Sequence, residues 1–523
     1  MRFERSSGIL LHPTSLPGPW GIGDLGPAAY QFVDFLAAAG QSLWQILPLG
    51  PTGYGDSPYQ CFSAVAGNPL LVSLDALADV DLLTPAELAA ALAGQQFSPD
   101  QVDYGAVLGF KLPLLRRAFE RFRAGTSPAT AAAFARFQAE NAGWLDDYGM
   151  FMALKDAHDG APWIEWAAPL RAREPAALAR ARAEHAESLV YHQFLQFLFF
   201  SQWAPLKAYA NERHIRIIGD APIFVAYDSA DAWANRELFF LDAEGNPTVV
   251  AGVPPDYFSA TGQRWGNPLY RWERMARDGY AWWVARLRAA FRQVDILRLD
   301  HFRAFAAYWE VPASEATAMR GRWVKGPGAA LFSRLEQELG ALPLIAEDLG
   351  VITPDVDAIR LQFDFPGMKV LQFAFDGDPG NIYLPHHYVQ NCVVYTGTHD
   401  NDTTVGWYMG LAEEQRDTVR GYLGRDGGDV AWELIRVAMM SVADMAVIPF
   451  QDVLRLGADA RMNTPGLLGQ NWAWRFRAEA LNPGVAGGLR FFTTIYDRLP
   501  EALKPKKPEP EPGEELVYEP EEA

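Results

Sequence analysis

Eight short apolar runs, helical patterns between them, and charged clusters where the runs end predict an α/β fold, a (β/α)8 barrel of the TIM type. Ser7–Pro17 (SGILLHPTSLP) is the first run, a strand that breaks into a Pro-rich loop. Pro27–Ala39 follows with a helical pattern stopped by Gly40, and Ser42–Leu49 (SLWQILPL) is the second strand. The third is Ile215–Val225 (IRIIGDAPIFV), and the fourth lies in Val294–Arg303 (VDILRLDHFR) after the helix Trp282–Phe291. Pro343–Leu349 is the fifth, with the helix Pro354–Gln362 behind it. Met368–Phe375, Cys392–Tyr395 and Ala446–Asp452 complete the set. Strand, helix and strand joined by short links make a parallel sheet. An open doubly wound sheet has the same rhythm and remains the alternative.

Two stretches interrupt that rhythm. Residues 74–214 are rich in Ala, Leu, Arg and Glu, with helices expected over Phe110–Arg123, Pro128–Leu145 and Ala186–Asn211, and form a mainly helical insertion. Residues 226–281 are irregular and aromatic and form a second, loop-rich insertion. The expected organisation is one catalytic barrel over residues 1–500, interrupted twice, with a Pro- and Glu-rich tail over 501–523 that should be disordered or loosely attached.

The formal charge of −19 disfavours a nucleic-acid or anionic-membrane partner. The 17 Trp exceed what a core alone needs, and in an acidic protein the surplus suits stacking on sugar rings or apolar ligands. Cys61 and Cys392 are far apart and lack metal-ligand spacing, so neither a disulfide framework nor a zinc site is expected. With no signal-like or spanning apolar run, the expected setting is the cytoplasm.

In a barrel, chemistry gathers at the C-terminal ends of the strands. Those ends carry Asp220 (third strand), Arg298, Asp300 and His301 (fourth), Glu347 and Asp348 (fifth), and His399, Asp400 and Asp402 (after the seventh). The first two strands end in His12 and the loop Tyr54–Gln60. Arg298 and Asp300, two apart, share one strand face while Leu297 and Leu299 take the other. No Ser-His-Asp order, phosphate-binding Gly loop or HExxH stands out. Paired carboxylates without a metal pattern point to glycosidic chemistry, where one acid ionises and the other holds a proton near neutral pH. Arg298 favours an ionised Asp300. Glu347 follows the apolar run LIA, where desolvation raises a carboxyl, but Asp348 beside it shares that setting. Each acid alone could be a salt-bridge carboxylate; three acids at three strand ends favour a common site.

RLDHFRAF at Arg298–Phe305, IAEDLG at Ile345–Gly350 and GTHDNDT at Gly397–Thr403 resemble the catalytic motifs of glycoside hydrolase family 77. These are the 4-α-glucanotransferases called amylomaltases or disproportionating enzymes. SGILLHPTSLPGPWGIGDLG, PTGYGDSPYQ, IIGDAPIFVAYDSADAW, GQRWGNPLY and NWAWR extend the resemblance in order from about residue 6 to 499. The resemblance implies Asp300 as nucleophile, Glu347 as general acid/base and Asp400 as third carboxylate. It implies that Arg298 and His399 support these acids or bind the glucose beside the cleaved bond. His301, Asp220, Tyr59, Gln263, Trp265 and Asn471 become substrate contacts, and Tyr54 a secondary glucan contact or a loop-packing tyrosine. The implied partners are α-1,4-glucans, with glucose as an acceptor, and the implied state is a monomer or weak oligomer. No cofactor or metal is expected. Residue chemistry alone leaves an amylase-like hydrolase open, since it would use the same acids, and a catalytically dead glucan-binding protein less so. Trp265, Tyr59 and Phe258 are the aromatics expected to keep water from the intermediate.

Overall fold

The computed structural model describes residues 2–125, 127–255, 259–467 and 469–504. Phe258 and residues 505–523, most of the expected tail, lie outside the described residues. In chain order the strands are β1 (Ser6–Leu10), β2 (Leu43–Gln45), β3 (Arg216–Pro222), β4 (Val249–Val253), β5 (Gln263–Pro268) and β6 (Ile296–Asp300). They continue as β7 (Ala307–Pro312), β8 (Arg322–Lys325), β9 (Leu344–Ala346), β10 (Gly367–Val370), β11 (Cys392–Tyr395) and β12 (Met445–Pro449).

Eight of these form one parallel sheet in the order β10-β11-β12-β1-β2-β3-β6-β9, so each expected run supplies one strand. The strands are buried along nearly their whole length, β1 and β12 at every residue, as a sheet covered on both faces requires. The two ends of the sheet meet. Ala346 donates its amide to the Pro366 carbonyl at 2.9 Å, and the Asp348 carboxylate accepts the Met368 amide at 2.6 Å. A side chain thus takes a ladder bond at the seam, and the sheet closes into a barrel.

The strand ends differ from the sequence reading for local reasons. The sixth expected strand stops at Val370 and continues as a 3-10 turn, Leu371–Phe373. The eighth stops at Pro449, whose nitrogen cannot donate to a ladder, and Phe450–Val453 turns into a short helix instead. Helix Pro354–Gln362 matches its expected bounds, whereas Pro128–Ala157 runs well past Leu145. Between β2 and β3, helices Tyr104–Ala124, Pro128–Ala157 and Ala186–Glu212 pack through aromatic contacts such as Phe119–Phe194 and Phe134–Phe194.

The stretch read as irregular contains two strands. β4 and β5 pair antiparallel, and β4 also pairs with β7, which pairs with β8, giving a four-stranded sheet in the order β5-β4-β7-β8. These runs are short, and a register shift between Val250 and Gly252 interrupts the pairing. Period-two patterning is correspondingly weak. Gly262, at φ +66°, makes the turn into β5.

Candidate active site

Asp300 is the last residue of β6, Glu347 follows β9, and Asp400 stands on the loop after β11. All three strands point the same way round the barrel, so the acids rise at one mouth.

Glu347 is fixed first. Its amide donates to the Leu299 carbonyl at 3.1 Å and its carbonyl accepts the Phe302 amide at 3.1 Å. Its carboxylate takes the His301 amide on Oε2 at 2.6 Å and the Leu349 amide on Oε1 at 3.0 Å. His301 supplies that amide because it sits in the left-handed region, φ 54° and ψ 49°, which turns the chain sharply as it leaves β6. Asp348 faces the barrel seam rather than this cleft, bonding Met368 and lying 3.3 Å from Arg360. The structure thus separates the two neighbours that the sequence left equivalent.

Arg298 is buried with its guanidinium between two acids, Nη1 at 2.7 Å from Asp220 and Nη2 at 3.1 Å from Asp300. Burial lowers its pKa, but Asp220 and Asp300 outweigh that and raise it well above its usual value. Tyr59 donates its hydroxyl to the same Asp220 oxygen at 2.8 Å and stacks on His399, with ring centres 5.1 Å apart. A chain of contacts therefore runs from His399 through Tyr59, Asp220 and Arg298 to Asp300.

Desolvation is the largest influence on both central acids. It pushes Asp300 up to about 6 although Arg298 pulls the other way, and Asp220 and Asp400 add repulsion. It pushes Glu347 up to about 7, with Asp300 adding to the rise. The expectation that Arg298 settles the state of Asp300 is thus only half the account, because burial works against it. Both carboxyls are raised, Glu347 further up the scale than Asp300, and the contact with Arg298 favours the ionised form of Asp300.

Asp400 is gripped from a different segment. Asn463 donates to its Oδ1 at 2.6 Å, Arg461 to its carbonyl at 2.7 Å, and His399 Nε2 lies 3.4 Å from Oδ2. Trp265 meets His301 edge to face at 4.8 Å and donates its Nε1 proton to Gln263 at 3.1 Å, so these two from β5 flank the β6 turn. His301, half-buried and close to Arg303, is held low by desolvation, at about 3, and stays neutral. Asn471 spends its amide on Thr464 and Leu467 and shapes the loop that follows Asn463. Tyr54 stands apart on the 53–57 turn, 73 % exposed.

Sequence reasoning missed Asn463 and Arg461, which lie in a segment with no periodic pattern, and Trp472, whose ring lies 5.8 Å from Tyr59. Among the described residues no group of three or more His, Cys, Asp or Glu is placed to hold a metal ion, and no helix is long and apolar enough to cross a membrane.

A parallel barrel that gathers three carboxylates at one mouth, two of them raised by burial, belongs with the barrel enzymes that act on glycosidic bonds. Comparison with known proteins narrows this. The sequence model of the family described as 4-alpha-glucanotransferase (glycoside hydrolase family 77) matches residues 11–481. A protein of Synechocystis sp. named 4-alpha-glucanotransferase is 53% identical over 501 residues, covering 95% of this chain and 98% of its own length. One from Thermus thermophilus with the same name is 52% identical over 507 residues, covering 95% and 100%. The solved amylomaltase of Streptococcus agalactiae, in complex with acarbose, superposes with a TM-score of 0.92 at 39% identity, over 95% of this chain and 100% of that one. The chain belongs to glycoside hydrolase family 77, the 4-alpha-glucanotransferase family.

Proposed function

We propose that this chain moves α-1,4-glucan segments from a donor glucan to an acceptor glucan or glucose, by a retaining double displacement. The observation that carries the reading is the gathering of Asp300, Glu347 and Asp400 at the ends of parallel barrel strands, with Arg298 3.1 Å from Asp300 and two backbone amides on Glu347. Glu347 gives its proton to the glycosidic oxygen while the Asp300 carboxylate attacks the anomeric carbon. The C–O bond breaks, the leaving glucan departs with a free 4-hydroxyl, and a glucosyl ester forms on Asp300. Glu347, now a base, takes the proton from the 4-hydroxyl of the incoming sugar, whose oxygen displaces Asp300 and restores the starting state. Two inversions leave the configuration unchanged. Asp400, fixed by Asn463 and beside His399, holds hydroxyls of the reacting glucose.

Transfer over hydrolysis requires a sugar to outcompete water. The Trp265–His301 contact beside Asp300 supports an apolar wall on the acceptor side. The two cysteines, Cys61 and Cys392, are unpaired, which suits a reducing cytoplasm. Incubation with maltotriose tests the reading. A transferase yields glucose and a ladder of longer maltodextrins; only glucose and shorter sugars would make the chain a hydrolase instead.

A further inference from the structure

Asp400 stands on a loop, not on a strand, so something other than the sheet must set its position. The loop runs from Thr396, just past β11, to Thr404, the first residue of the helix Thr404–Gly410. A pocket of about 20 Å³ lies against it, lined by residues that include His12, His399, Asn401 and Gln451. Hydrogen bonds hold the loop at its two ends. Asp452, fully buried in the turn after β12, accepts the Thr396 hydroxyl at 2.5 Å and the Thr404 hydroxyl at 2.7 Å on Oδ2. Its Oδ1 accepts the Thr404 amide at 2.7 Å. Both threonines are themselves fully buried.

We propose that Asp452 is a positioning residue of the transfer reaction. By joining both ends of the 397–403 loop to the β12 turn, it sets where Asp400 and His399 stand in the cleft. It touches no substrate and moves no proton. Its own surroundings argue for this role over a purely structural one. A buried carboxylate is costly, and this one has three donors but, among the described residues, no cationic partner. An apolar residue of similar volume would fill the space more cheaply. What it could not do is bind a strand end and a helix start at once. Burial raises the Asp452 carboxyl and the three donors draw it back down. The inference rests on the proposed transferase activity and deepens it, since a shift of about 1 Å in a group that holds the reacting sugar is enough to cost about 10²-fold in rate.

The test uses the full chain and maltotriose, with kcat, KM and a thermal melt for each variant. Thr404→Val removes one bond to Asp452 and Thr404→Ser keeps it. The expected result is a kcat reduced severalfold for Thr404→Val, with KM within about twofold, and near-normal kcat for Thr404→Ser. Asp452→Ala should lose about 10- to 100-fold in kcat. Asp452→Asn should lie between, because its amide oxygen still accepts the Thr404 amide while the hydroxyls turn to accept. If Asp452→Ala fails to fold, the Thr404 pair decides the matter. Equal kcat for Thr404→Val, Thr404→Ser and the parent enzyme would overturn the inference, as would a folded Asp452→Ala with unchanged kcat. A parent enzyme that does not disproportionate maltotriose would overturn the transferase reading itself, which is a separate failure.

Discussion

Replacing Arg298 with Met keeps the side chain's length and removes a cation that touches Asp220 at 2.7 Å and Asp300 at 3.1 Å. Asp300 already stands near 6 because desolvation outweighs Arg298. An arginine in contact lowers a carboxyl by about 1–3 units, so its loss should carry Asp300 to about 7–9. At pH 7 the ionised fraction of Asp300 then falls from about nine tenths to between about one half and one hundredth. Arg298 also lowers Glu347, so the acid rises as well. The sign is therefore fixed for both limbs. Attack needs Asp300 ionised, so the acid limb of kcat/KM moves to higher pH; protonation of the leaving oxygen needs Glu347 protonated, so the alkaline limb moves up too. The parent enzyme should show a narrow bell centred between about 6 and 7, and Arg298→Met a weaker bell displaced upward by about 1–2 units. The assay is initial glucose release from maltotriose between pH 5 and 9.5, with folding checked at each end, because leaving the buried Asp220 without its cation costs about 3–5 kcal/mol. A loss by the same factor at every pH would refute the reasoning and leave Arg298 only a geometric role.

Asp300→Asn should abolish transfer and hydrolysis together, by about 10⁴-fold or more, measured as products from maltotriose. Trp265→Ala should raise the ratio of hydrolysis to transfer about 2- to 10-fold, the worth of one aromatic contact, and an unchanged ratio would remove Trp265 from the account. Asp348→Ala leaves the Met368 amide without its carboxylate at the seam and should cost about 1–3 kcal/mol in denaturant unfolding. Gly367→Ala, whose new methyl would come within 2.1 Å of the Asp348 carboxylate, should also destabilise, and the double variant should lose less than the sum of the two. Because folding raises Asp300 and Glu347, the folded state binds their protons more tightly than the unfolded chain does. Stability should therefore gain from these two groups as pH falls from about 7 toward 4, and Glu347→Gln should flatten that slope in a melt series.

The barrel was legible because its strands are buried nearly throughout and several read as near-continuous apolar runs, such as MAVIP in β12 or CVVY in β11. The antiparallel sheet was not. β8 reads RWVK and β5 QRWGNP, with charge and Gly where a half-buried strand would alternate, and their pairing joins segments on either side of β6. Of the site, the strand-end residues could be found because a charge closing an apolar run is itself a signal, and Asp220, Arg298, Asp300 and Glu347 all carry it.

What could not be found are the groups that decide which acid does what. The choice between Glu347 and Asp348 depends on the left-handed turn at His301, which aims one amide at Glu347, and on the β9–β10 seam, which occupies Asp348. Neither feature is local to the pair: one comes from the end of β6 and the other from Gly367, whose missing Cβ lets the Asp348 carboxylate approach. Asn463 and Asp452 lie about 50 to 60 residues along the chain from Asp400; Asn463 stands in a segment without a periodic pattern, and Asp452 closes the eighth apolar run, where nothing local shows its bonds to Thr396 and Thr404. A linear pattern reports burial one residue at a time, whereas Asp300 and Glu347, both raised by burial, are told apart by their partners: a guanidinium lies against one, and two backbone amides bond the other. The acids can therefore be read from sequence, while their roles depend on the partners that folding brings to each.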